Sequence, residues 1–214
     1  MTIIVTATKT NSSRDYDWLK ASVAGWLKRT DLAAMIPDFV MLAEKRLNGD
    51  LRARLQNAVA TLAATESAQV IVLPASVLAV KTLAIPGQGP IEYLSSGQFN
   101  DRYAQDAGSG TPRHYTQIGG ALYLGPTPDA AYTLSAVARA AVPALADSAG
   151  TNWLIDQHAE AYLAATMCEA LTYIGNAEKL ATWEGKYAGA ISALNEDEWA
   201  SAGTMAVRAA GPTP

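Results

Sequence analysis

The spacing of apolar residues changes period twice along this chain, and that change restricts the fold more than any other feature. Tyr16, Leu19, Val23, Trp26 and Leu27 fall on one face of a helix over residues 15–28. Ile36, Phe39, Val40, Ala43, Leu47 and Leu51 line a second helix that opens at Pro37 and ends near Arg54. The helical period returns over 158–174, with Tyr162, Leu163, Thr166, Met167, Ala170, Leu171 and Ile174 on one face. It continues over 177–199, with Leu180, Trp183, Tyr187, Ile191 and Leu194. The middle reads as strands. "QVIVL" (69–73) ends at Pro74, "SVLAVKTLAIPG" (76–87) stops at Pro-Gly, and "PIEYL" (90–94) is placed to return beside it. Residues 113–126 read as a hairpin turned at Gly119-Gly120, where both positions accept positive φ. Residues 130–140 supply a last strand with Tyr132, Leu134, Ala136 and Ala138 on one side, and 95–110 read as a loop with room for one helical turn.

Helices, then strands, then helices, with no strand–helix–strand alternation, give an α+β chain. The predicted architecture is a four-helix bundle formed by the N- and C-terminal helix pairs (1–57 and 152–200), with an inserted antiparallel β subdomain (58–151). Residues 201–214 carry no apolar period and form a C-terminal tail, flexible when alone. Local signals fit these limits. Ser12 or Ser13 is placed to cap the first helix, Asp15 and Asp17 suit the positive end of its dipole, and Gly175-Asn176 closes the third. Gly185 and Gly189, four residues apart in the last helix, are read as room for a close backbone crossing or as tolerated weak points.

Composition narrows the function classes. Charged residues are 17% of the 214, below the ~25% of ordinary soluble domains, which suits a surface partly covered by other chains or an alanine-rich monomer. The net charge of −4 offers no dominant basic field for tight DNA binding. One cysteine, Cys168, excludes an intramolecular disulfide. No run reaches the ~18 apolar residues of a membrane span. The start, "MTIIVTATKTNSSRD", lacks the basic and apolar regions of a secretion signal, so synthesis in a cytoplasm is expected.

Catalytic signatures are sparse. The sequence has no P-loop, GxGxxG, HExxH or GxSxG pattern. His158 and Cys168 sit about 15 Å apart along one predicted helix, too far for a nucleophile–base pair. Cys168 is therefore read as a buried helix residue, and Glu196-Asp197-Glu198 as a solvated acidic helix end. Lys28, Arg29, Lys45, Arg46, Arg52 and Arg54 gather around the first two helices. They read as a phosphate-contacting patch or, preferably, as partners for acidic side chains on a neighbouring helix or chain.

"WLKRTDLAAMIPDFVMLAEKRLNGDLR" (26–52) resembles the N-terminal signature of head-to-tail adaptor (connector) proteins of tailed bacteriophages, the tail tubular protein A-like family. In that family W-L-x-R-x-D-L leads into I-P-x-F-h-x-L-A-E-x-R-h and then D-L-R. Three further stretches match in order. These are "LPASVLAVKTLAI" (73–85), "GTPRHYTQIGGALYLGPTPDAAYTL" (110–134) and "NWLIDQHAEAYLAATMCEA" (152–170). The resemblance covers most of residues 16–190. It departs at His158-Ala159, where the family usually has proline or serine, and it does not include the tail.

The resemblance implies a structural, non-enzymatic role in a phage or a related gene transfer particle. Such proteins form a homo-oligomeric ring, commonly of twelve copies, in the virion neck below the portal protein. The ring extends the DNA channel and docks the tail or nozzle protein. DNA passes without specific binding, no membrane or cofactor is involved, and the free subunit is often a monomer. The tail is expected to order on the portal, with Met205 and Val207 as apolar anchors and Arg208 meeting a carboxylate. Two other functions are weighed against this. A tail-associated cell-wall hydrolase would need paired carboxylates, for which Glu160 and Glu169 are the candidates. A DNA-binding packaging accessory would use the Lys28–Arg54 basic residues.

Overall fold

A computed structural model describes residues 14–104, 108–147 and 149–201. In chain order the elements are α1 (Tyr16–Leu27), α2 (Ile36–Asp50), β1 (Asn57–Ala64), β2 (Val70–Val72), β3 (Val77–Ile85), β4 (Gly89–Tyr93), α3 (Ser96–Tyr103), β5 (His114–Ile118), β6 (Ala121–Gly125), β7 (Tyr132–Ala140), α4 (Trp153–Gln157), α5 (Ala159–Ile174) and α6 (Ala177–Ser201). The chain is a mixed α+β protein. It divides into two compact units, one from residues 1–52 and 142–214 and the other spanning Ala53–Ala141.

In the helical unit the terminal helices share one core. It joins Leu19 and Val23 of α1, Val40 and Leu47 of α2, and Tyr162 and Met167 of α5 with Trp183 and Tyr187 of α6. α5 is the central member, because α1, α2, α4 and α6 all pack against it. Its sequence predicted one apolar face, yet Ala159, Ala161, Ala164 and Ala165, outside that face, are buried as well. A helix apolar on most sides belongs inside a helical layer, and its small side chains let neighbours approach closely. The buried stripe of α2 is as predicted: Ile36, Phe39, Val40, Ala43, Leu47 and Leu51 are all buried. Trp26 departs from its predicted face, being 55% exposed.

Caps fix the helix ends. Asp15 caps α1 by accepting from the Trp18 amide at 2.8 Å, so the role expected of Ser12 or Ser13 falls to it. Asn152 caps α4, accepting at 3.0 Å from both the Leu154 and Ile155 amides. His158 then breaks the chain between α4 and α5 with φ −136° and ψ 50°, so the helix expected from 158 begins one residue later behind a separate short turn. Gly175 ends α5 at φ 76°, and its amide and that of Asn176 satisfy the Leu171 carbonyl.

The other unit is built on a seven-stranded sheet in the order β1-β7-β3-β4-β5-β6-β2. The expected pairing of 90–94 with the preceding strand is present: Leu83 faces Ile91 across an antiparallel ladder. So is the 113–126 hairpin, with Ile118 opposite Ala121, although only Gly119 of its two glycines takes a positive φ, of 59°. One expectation needs correction. The sheet is not wholly antiparallel, because β4 and β5 pair parallel through Glu92↔His114 and Tyr93↔Tyr115. The physical reason is α3, which lies in the connection between them and lets the chain re-enter in the same direction. The 95–110 stretch holds two helical turns rather than one. They start with a reciprocal capping box, in which the Ser95 hydroxyl accepts from the Gln98 amide and the Gln98 side chain accepts from the Ser95 amide. Leu62, Leu83, Ile91, Tyr115, Leu124 and Leu134 form this unit's core.

Candidate interaction surfaces

The motif residues of the 26–52 stretch are used within the helical unit. Glu44, only 8% exposed, accepts at 2.7 Å from the Leu145 amide and at 2.7 Å from the Tyr162 hydroxyl. Asn152 donates to the same hydroxyl at 3.3 Å and to the Pro143 carbonyl at 2.6 Å. A buried carboxylate is costly without such partners, and here they come from α5 and from the segment before α4. Burial, followed by the side-chain hydrogen bond with Glu44, raises the Tyr162 phenol above its ordinary value and holds it protonated.

Two residues further on, Arg46 clamps α2 to α6. Its Nη1 lies 2.8 Å from Oε1 of Glu184 and its Nη2 binds the other oxygen, a bidentate pair. The guanidinium also stacks 4.2 Å from the centre of the Tyr187 ring. That tyrosine donates at 2.8 Å to Oδ2 of Asp50. The hydrogen bond from Arg46 lowers the Glu184 carboxyl below the usual range. Arg52 donates from its side chain to the Gly49 and Leu51 carbonyls at 2.6 and 2.8 Å, and from its amide to Asn195 at 2.7 Å. Arg29 pairs with Asp31. Of the six basic residues considered for phosphate contact, three thus have intramolecular partners, and Arg46 meets an acidic side chain on a neighbouring helix, as the preferred reading expected.

Other motif positions behave alike. In the PDxxY segment the Tyr132 hydroxyl donates to Asp129 at 2.6 Å and lies 3.1 Å from Thr111. These contacts tie together the two ends of the 110–134 stretch.

The catalytic alternatives gain no assembled site. Glu160 and Glu169 lie nine residues apart on α5, about 13.5 Å along its axis, beyond the ~5–9.5 Å of paired glycosidase carboxylates. Glu169 instead stands 3.8 Å from Arg46 and Glu160 stands 3.6 Å from His158. Burial pushes the Cys168 thiol up to about 12, with the Glu184 charge adding to it, which disfavours the thiolate. Among the described residues, no group of three or more His, Cys, Asp and Glu side chains is placed to hold a metal ion. Glu196 accepts from Ser192 at 3.0 Å.

Among the described residues, each unit has a concavity of note. The sheet unit has a polar cleft of about 580 Å³ bordered by Glu92, Arg102, Arg113 and His114. His114 is fixed there by the Tyr103 hydroxyl at 2.6 Å, and burial, then the positive charge of Arg102, lowers its pKa. The Tyr103 ring occupies the space over Gly125, where a Cβ would stand 2.5 Å from it. The helical unit has an apolar groove of about 500 Å³ between α1, α5 and α6. Trp26 and Trp183 meet edge to face at 5.3 Å on its wall. Gly185 and Gly189 line it with nothing within 4 Å of a Cβ position, so they leave a gap and make no close helix crossing. No helix among the described residues is long and apolar enough to cross a membrane. The tail residues Met205, Val207 and Arg208 lie outside the described residues.

No curated protein matches this chain. Over residues 14–209, nearly its whole length, it matches the family described as SU10 adaptor protein. The chain belongs to that family, a phage head–tail adaptor family.

Proposed function

We propose that this protein is a structural component of a virion neck, assembling as a ring beneath the portal protein, extending the DNA channel and docking the tail or nozzle protein. Family membership across residues 14–209 is the observation that carries this reading. In it, α1, α2, α5 and α6 act as one four-helix bundle, and the sheet unit is the module inserted in it. The copy number is twelve, and the subunit is a monomer before it meets the portal. The intramolecular use of Arg29, Arg46 and Arg52 supports a channel wall without a strong grip on DNA. The role calls for no turnover and no cofactor. Synthesis is in the host cytoplasm, and DNA passes through the ring during ejection.

The C-terminal tail, 201–214, orders on the portal. Met205 and Val207 fill apolar pockets and Arg208 meets a carboxylate, so specificity comes with an ordering cost at the moment of docking. Mixing the chain with its portal and imaging the product by electron microscopy tests the ring. Removing residues 201–214 tests the tail. Rings that form on the portal with the full chain and are lost on truncation agree with the proposal. Unchanged portal binding by the truncated chain refutes the role of the tail.

A further inference from the structure

We propose that successive copies dock by seating the exposed stripe of α2 from one copy in the apolar groove between α1, α5 and α6 of the next. This contact rests on the ring reading and names the two surfaces that would close the ring.

The stripe is Asp38, Met41, Leu42 and Lys45, an i, i+3, i+4, i+7 series on one helix face. Met41 and Leu42 are 47% and 43% exposed, whereas the opposite face of α2 is buried in the core. Asp38 and Lys45 stand two turns apart, about 10.5 Å, with an apolar pair between opposite charges.

The groove offers the complementary features. Its Gly185 and Gly189 leave open space where side chains would stand, so a helix ridge can approach the α6 backbone. Trp26 presents an exposed indole, a frequent anchor at protein interfaces. Lys186 and Glu160 border it with one charge of each sign. Lys186 is held over the Trp183 ring at 4.3 Å and the Trp26 ring at 5.4 Å. Asp38 then faces Lys186, and Lys45 faces Glu160. No α2 residue lines the groove, so knob and socket are different patches of one chain. Such a contact is heterologous and propagates into a closed ring when its rotation closes.

The test uses the full chain with Cys168→Ala, which removes the only native thiol, carrying Met41→Cys and Gly189→Cys together. The chain is mixed with its portal, and chains assembled on the portal are oxidised and separated by size. A ladder of disulfide-linked multimers is the expected result, with neither single cysteine variant forming products beyond the dimer. Rings seen by electron microscopy that give no ladder overturn the contact while leaving the ring reading intact. Absence of rings and of any multimer in the presence of the portal overturns the ring reading and this contact with it. If rings give no ladder and removing 201–214 speeds thiol labelling at Gly189→Cys, the tail occupies the groove and the contact is overturned. Charge reversal supplies a second readout. Lys45→Glu or Glu160→Lys alone weakens ring assembly on the portal about tenfold, because like charges then face each other. The two together restore it to within about threefold, and failure to restore it overturns the proposed pairing.

Discussion

Replacing Tyr162 by phenylalanine tests whether the buried polar junction, rather than apolar packing alone, fixes α2 against α5. The ring is fully buried, so the substitution keeps its contacts and removes only the hydroxyl. Glu44 then loses one of its two bonds to the rest of the unit and keeps the Leu145 amide. Asn152 loses its 3.3 Å contact and keeps the Pro143 carbonyl. A hydrogen bond to a charged group contributes ~1.5–3 kcal/mol, so the expected loss is about 2 kcal/mol. For a chain of this size that lowers Tm by about 4–8 °C. The assay can isolate the helical unit, because all five tryptophans (Trp18, Trp26, Trp153, Trp183 and Trp199) belong to it. Urea unfolding followed by tryptophan fluorescence therefore measures that unit. Repeating the substitution in a Glu44→Gln background makes the lost bond neutral, and the cost should fall to about 1 kcal/mol. A Tyr162→Phe cost below about 0.5 kcal/mol would refute the reasoning.

Two further perturbations follow from named contacts. Arg46→Met should remove about 1 kcal/mol at neutral pH, a figure discounted for screening because both partners are partly exposed. Arg46 lowers the folded pKa of Glu184, so the pair's stabilisation is complete above the ordinary carboxylate range and is lost as pH falls through the folded value. Unfolding curves of wild type and variant should therefore converge as pH falls below the ordinary carboxylate range, and a gap that stays constant contradicts the pairing. In the sheet unit, Gly125→Ala places a Cβ against the Tyr103 ring and should cost about 1–3 kcal/mol. Faster amide exchange across Ala53–Ala141, with the helical unit unchanged, is the expected signature.

Much of the fold was legible because burial follows period. The stripes of α2 and α6 gave their buried residues directly, and the Pro-Gly and Gly-Gly signals placed β3 and the β5–β6 hairpin. β1 escaped for a physical reason. "NAVATLAA" is alanine-rich, buries only Leu62 and Ala64, and becomes a strand through its eight-residue ladder with β7. α3 was undervalued although Ser95 and Gln98 spell a capping box, because the stretch has a single buried apolar residue, Phe99. The parallel β4–β5 pair could not be read from local pattern, since strand direction depends on the route of the connection. At the surfaces, residue types were legible and their partners were not. An acidic partner on a neighbouring helix was the preferred reading for Arg46, but which residue supplies it was not legible, because Glu184 lies 138 positions away. The groove had a visible trace in Gly185 and Gly189, but its wall depends on Trp26 leaving the predicted face of α1.

The central claim is the place of this chain in a particle, and a reconstruction of the virion neck measures it directly. The account predicts that both units are found repeated around the DNA axis, between the portal and the first tail protein. Density for this chain at any other position, or as isolated copies outside a ring, would contradict it.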